Sequence, residues 1–246
     1  MRRWAPGAEP TWRVDHVRGG ASALHQASAD LVSVGDAGRV IRVLEAEAPA
    51  VVLGSAQPDA HIDRGRAAAR GVAVARRRSG GAAVLVGPGV ALWIDVIVPA
   101  GDPLWRADVG RAGAWLGACW AGALAEVGML DAQVQAGAMI RSAWSGWVCF
   151  AGLAPGEVTV GSAKVVGISQ RRTRWATLFQ CAVPLGAWDG EAVTRWDPAA
   201  LLDVLALSAG QRSKGVVELA GAAVTVADGA GLAEAMIDRC RHAQPR

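Results

Sequence analysis

"WVCFAGLAPGEVTVGSAKVVGISQRRTRWATLFQCAV" (residues 147–183) carries four strand-like runs in succession, and its reading decides the fold. The runs are WVCF (147–150), EVTV (157–160), AKVVGI (163–168) and TLFQCAV (177–183). "GS" between the second and third is a two-residue hairpin signal, so at least this part of the chain forms antiparallel sheet. One residue in it is out of character. Lys164 sits inside an apolar run that Gly167 is expected to end. Alternation alone sends every second side chain of a strand outward, so an exposed lysine there would need no explanation.

On the N-terminal side the periods alternate. Residues 20–33 read as a helix, RVIRVL (39–44) and AVVLG (50–54) as short strands around Pro49, and DRGRAAARG (63–71) as a helix closed by Gly71. VAVAR (72–76) and VALWIDVIVP (90–99) read as strands. From Asp108 to Val127 apolar residues recur in steps of three and four, which predicts an amphipathic helix ending at Gly128. A polar-poor linker leads into the four runs. Beyond them, residues 198–207 and Gly231 to Cys240 read as helices. Helices mixed with hairpins give an α+β or mixed α/β fold. At 246 residues the chain is long enough for one large domain or two small ones.

Composition narrows the function classes. The chain has 246 residues, enough for a sizeable core, and 52% of them are hydrophobic. Twenty-five basic against 22 acidic residues leave a net charge of +3, too little to argue for nucleic acid. Cys119, Cys149, Cys181 and Cys240 form no close pair, so neither a zinc site nor a disulfide scaffold is expected. Free thiols in a reducing cytoplasm fit best. The opening "MRRWAPGAEPTWRVDHV" has no apolar segment of signal-peptide type, and the most apolar stretch is broken by Gly87, Pro88, Gly89 and Asp95, so no membrane association is expected.

Three stretches hold residues suited to chemistry. In RRRSGGAAV (76–84), paired glycines let backbone approach a ligand and point amides at an anion, and arginines bind phosphate or carboxylate; the same stretch reads equally as a basic hairpin turn. Cys149 beside Phe150 reads as a packed core thiol or, with a cation nearby, as a nucleophile. Lys164 follows fifteen positions later on a neighbouring run and is a candidate for that cation. Arg171, Arg172 and Arg174 follow Gln170 just past the expected strand end, and read either as a solvated loop or as a surface for an acidic partner.

In this order the segments GSAQ (54–57), RRRSGGAAV (76–84) and KVVGISQRR (164–172) resemble the biotin/lipoate A/B protein ligase family, whose patterns are GRxQ, RRxSGGGAV and KxxGxAQ. The resemblance implies one catalytic domain over 1–246, with a core of about 20–207 and a helical extension over 208–246, built on a mixed, largely antiparallel sheet flanked by helices. It further implies attachment of an octanoyl or lipoyl group to a lysine of a lipoyl domain, whether of 2-oxoacid dehydrogenases or of the glycine cleavage H protein. Lys164 would be the active-site lysine. The substrate would be held by Arg76, Arg77, Ser79, Gly80, Gly81, Ala82, Gly167 and Gln170, with Arg76, Arg77 and Ser79 at its phosphate end. Arg171, Arg172 and Arg174 would meet the acidic carrier.

The family runs two chemistries, an ATP-dependent route through an acyl-adenylate and a thioester route through an enzyme cysteine. "VCFAGLAPGEVTVGSAKVVGISQRR" (148–172) resembles the cysteine-type octanoyltransferases, in which a CF pair precedes an acidic residue, a hairpin and the lysine. The resemblance then makes Cys149 the nucleophile and acyl carrier protein the donor. No permanently bound cofactor or metal is implied, and ATP with magnesium belongs only to the ligase alternative. A family member that binds acyl groups without catalysis is the other alternative. The chain departs from the pattern at Ala82 (third glycine of the loop), at Val86 (a histidine in many relatives) and at RWAT (174–177, against HHGT).

Overall fold

The computed structural model describes residues 11–34, 38–186 and 197–245. The first ten residues of the basic opening segment lie outside them. A seven-stranded mixed sheet runs in the order β1 (Trp12–Gly19), β2 (Arg39–Ala46), β6 (Ala91–Pro99), β10 (Ala176–Pro184), β9 (Ala163–Arg172), β8 (Val158–Val160) and β7 (Ala132–Val134). Only β1 and β2 pair in parallel within it. A small second sheet sets β3 (Ala50–Leu53) between β4 (Ala73–Arg76), parallel, and β5 (Val84–Val86), antiparallel.

The large sheet is covered on both faces, so its central strands read as continuous apolar runs. On one face α3 (Ala114–Glu126) and α6 (Gly229–Arg241) bury Leu116, Trp120, Leu232 and Met236 against Ile94, Val96 and Phe179. On the other face α1 (Ala21–Leu31) and the small sheet meet around Leu24, Val52, Val84, Trp93 and Phe150. The small sheet is itself two-sided. Val52 faces inward, while Val51 and Leu53 turn to α4 (Pro198–Val204) and α5 (Ala209–Leu219), where Leu201, Leu202 and Leu205 close a third cluster. The remaining short helix is α2 (Arg64–Ala69), capped by the Asp63 side chain.

Several expectations change in detail. WVCF is not a strand: Val148 makes one parallel bridge to Ala83, and Cys149–Ala151 then turn as a short 3-10 helix. α3 starts at Ala114 rather than Asp108, because Gly110 and Gly113 precede it and Val109 points to solvent. β9 does not stop at Gly167 but continues to Arg172, so Gln170, Arg171 and Arg172 lie on a strand and not in a loop. β1 and β7 appear where no element is expected, and α5 lies within the stretch expected to be a helical extension. Among the described residues no helix is long and apolar enough to cross a membrane, and no disulfide joins the four cysteines.

Candidate active site

A break in the strand pairing aims Lys164 at the site. Opposite β8, Val166 pairs with Val158 and Lys164 with Thr159, so β9 carries one extra residue, Val165. Such a bulge resets the alternation. Val165 and Val166 both enter the core on the α3 face, and Lys164 falls on the same side as Gly167 and Ser169, facing Cys149. The side chain is only 3% exposed. Its ammonium donates to the Cys149 carbonyl (2.7 Å), the Gly152 carbonyl (2.8 Å) and Glu157 Oε2 (3.0 Å), and it lies 5.1 Å from the Phe150 ring centroid. All three protons are therefore engaged within the protein. Glu157 is equally enclosed. Oε2 also accepts from the Ala154 amide (2.7 Å) and Oε1 from the Ile168 amide (3.0 Å), so one carboxylate ties the turn at 152–157 to β9.

The Cys149 turn is held on its other side by the glycine loop. Cys149 N donates to Ala83 O (2.8 Å) and Ala83 N to Trp147 O (3.1 Å). Gln57 of GSAQ reaches across with Nε2 to the carbonyls of Gly146 and Trp147 (3.5 and 3.3 Å). Gly54 explains the glycine of that segment, since a Cβ there would fall 1.7 Å from Gly81 O. Within the loop, Gly81 has φ +98°, a conformation that favours glycine. Ala82 has no such requirement. The amides of Gly80, Gly81 and Ala82 have no hydrogen-bond acceptor among the described residues.

The loop arginines turn inward. Arg77 is buried, and its guanidinium donates to Gly80 O, Ala82 O and Val52 O at 2.9 to 3.2 Å, holding the loop from below. Burial pushes its pKa below the usual guanidinium range, opposed by its electrostatic attraction to Cys149 and Glu157. Arg76 bridges Gly54 O, Gln57 O and Asp59. Ser79 is bonded to Ser169 (2.8 Å) and Gln180 (2.7 Å). These three side chains build the loop and do not extend from it. The run 170–174 is split in the same way. Gln170 donates to Val109 O, Arg172 to the carbonyls of Arg106 and Ala107, Arg171 projects toward the glycine loop, and exposed Arg174 stacks over Trp175 at the β9–β10 turn.

Cys149 stands where two cavities meet. One is narrow and apolar, lined by Val84, Val86, Trp93, Cys181 and Ala182, with His25 as its imidazole. The other, about 350 Å³, is bounded by the glycine loop, Ser169, Gln170, Met139 and Lys164. The thiol itself lies 3.8 to 3.9 Å from where side chains on Gly167 and Gly81 would begin. Of the four thiols only Cys149 is partly accessible; burial pushes the Cys181 thiol up, and contact with Cys119 does the same for Cys240. Glu157 and His25 are not among the residues that the sequence patterns mark as chemical. Glu157 carried a signal, the acidic residue between the CF pair and the lysine, whereas His25 stood in an unremarkable helix. His25 Nδ1 accepts from Gln180 Nε2 (3.0 Å), and burial followed by the Arg77 charge lowers its pKa to about 3, so the ring is neutral with its proton on Nε2.

Comparison with known proteins follows the same outline. No curated protein matches the chain significantly in sequence. Among solved structures it is similar to a bi-partite lipoate protein ligase from Thermoplasma acidophilum described with its E2 lipoyl domain (TM-score 0.71, 16% identity, 94% of this chain and 82% of that one). It is also similar to a lipoate-protein ligase A bound with ATP (TM-score 0.64, 18% identity, 92% and 83%) and to LipL1 of P. falciparum in complex with lipoate (TM-score 0.51, 11% identity, 97% and 75%). At these identities the likeness speaks for the fold. Residues 21–225 match the family model of the lipoyl protein ligase A/B catalytic domain, and the chain belongs to that family.

Proposed function

We propose that the protein attaches an octanoyl or lipoyl group to a lysine of a lipoyl domain through a thioester on Cys149. The observation that carries this reading is the position of the Cys149 thiol at the mouth of an apolar cavity, beside loop amides with no acceptor and beside the buried Arg77. The acyl chain enters the apolar cavity, and the Cys149 thiolate attacks the carbonyl of a carrier thioester. The carbon–sulfur bond to the carrier breaks, and the carrier thiolate leaves and takes up a proton. The amine of the acceptor lysine then attacks the acyl-enzyme, an amide forms and Cys149 is released. In this reading the 80–82 amides receive the negative oxygen of each tetrahedral intermediate, a contribution of about 3 kcal/mol per donor in comparable sites. Lys164 acts by holding the carbonyls of Cys149 and Gly152, so that the turn keeps its thiol toward the loop.

The likeness to a ligase described with its E2 lipoyl domain supports a lipoyl domain as acceptor. Acyl carrier protein is the donor this chemistry calls for. The ATP-dependent route keeps one supporting observation, the similarity to a ligase bound with ATP. Intact mass separates the two. Incubation with octanoyl thioester is expected to add one octanoyl group to the wild type and none to Cys149→Ala. An unmodified wild type that instead makes lipoyl-adenylate from ATP and lipoate, with Cys149→Ala equally active, would establish the ligase route.

A further inference from the structure

Arg77, which also lines the apolar cavity at Cys149, borders a third cavity of about 480 Å³ together with Gln26, Ser55, Arg76, Arg78 and Arg171. Its positive charge is only partly compensated. Arg77 is spent on backbone carbonyls, and Arg76 is paired with Asp59. Asp30 is engaged by Gln26. Among the described residues Arg78 has only the neutral Gln26 Oε1 as partner (3.2 Å), and Arg171 Nη1 has no hydrogen-bond acceptor. Neither guanidinium pairs with a carboxylate among the described residues, so an anion in the cavity would meet two uncompensated positive charges. Two arginines from separate segments, with a hydroxyl beside them, suit the oxygens of a phosphate.

The position of this cavity is as informative as its charge. One face of β9 presents Gly167 next to the Cys149 thiol, Ser169 bonded to Ser79, and Arg171 in the cavity. Gly167 and Arg171 are four residue steps apart along the strand, roughly 13 Å at the usual rise. In an acyl-adenylate the phosphorus is bonded to the acyl oxygen itself, so its phosphate belongs beside the acyl carbon. In a pantetheine thioester a long diamide chain stands between sulfur and phosphate.

We infer that Arg78 and Arg171, with Ser55, form a binding site for the phosphate of a pantetheine-type thioester donor whose acyl sulfur lies at Cys149. The site rests on the thioester reading above, but its binding can be measured without turnover. The experiment titrates the full chain with 4′-phosphopantetheine, with pantetheine lacking the phosphate, and with AMP, and measures acylation of Cys149 by the octanoyl thioesters of the first two.

The wild type is expected to bind the phosphorylated arm at least tenfold more tightly than pantetheine. Arg78→Gln/Arg171→Gln should reduce that preference to about one, with acylation by octanoyl-pantetheine unchanged. Equal binding of the two arms by the wild type, or a preference that survives in the double variant, overturns the proposal. Preferential binding of AMP, lost in the double variant, overturns the arm assignment in favour of a nucleotide. Failure of both octanoyl thioesters to acylate Cys149 counts against the thioester reading alone, because phosphate-dependent binding is read separately. Circular dichroism of the variant excludes unfolding as the cause.

Discussion

At the scale of single residues the decisive pair is Lys164 and Glu157. Both are almost wholly enclosed, so each charge depends on the other and on the carbonyls and amides around them. Removing one partner leaves the other desolvated and unpaired, at a cost of about 3 to 5 kcal/mol; removing both in favour of apolar side chains of similar size is often near neutral. Lys164→Met is therefore expected to destabilise by about that amount in urea titration. The added substitution Glu157→Leu should restore part of it, and neither variant should regain acylation, because the Cys149 and Gly152 carbonyls lose their clamp. A double variant as active as the wild type would show that the lysine does not position the turn. The sequence already singled out Lys164 and Cys149. It could not show that the ammonium is spent on carbonyls, since that depends on where the 149–157 turn folds back.

Among elements, legibility followed how each is specified. The hairpin turn from β8 to β9, the long apolar β6 and the α6 stripe are written in local periods and fold where those periods place them, although β9 runs on past its expected end to Arg172. The bulge at Val165 is set by pairing with β8, and no period announces it. The same holds for the segment at Cys149, which takes its shape from Ala83 and Gln57 rather than from its own apolar letters. Contacts between elements also govern the glycines. A Cβ on Gly54 at the end of β3 would meet the Gly81 carbonyl, backbone against backbone, whereas one on Gly80 meets nothing within 4 Å. Gly54→Ala should therefore displace the loop and lower stability by about 2 kcal/mol or more, within the range for overpacking. Gly80→Ala should stay within about 0.5 kcal/mol, as for an unstrained open position. Equal thermal midpoints for the two variants would contradict the close packing of β3 on the loop.

Across the whole molecule, one buried polar chain joins the layers. Ser169 and Ser79 lead to Gln180 on β10, which contacts His25 on α1 and Asp95 on β6, and Asp95 accepts from Trp93. The two titratable members respond to acid in opposite directions. Burial raises the Asp95 carboxyl to about 6, so the native state takes up its proton before the unfolded chain does, and this group adds stability as pH falls from 7 toward 4. His25 is held neutral, with a native value of about 3 against about 6.5 when exposed. The unfolded chain therefore binds that proton first; the stability His25 contributes is complete above pH 6.5 and declines as the pH falls toward 3. Between pH 7 and pH 5 the histidine alone should cost the wild type about 2 kcal/mol. His25→Leu removes this loss while leaving Asp95 in place, so the stability gap between wild type and variant should narrow by about 2 kcal/mol over that interval in urea titrations at the two pH values. A gap of constant size would mean that His25 titrates alike in both states, and the network would then not be closed to water.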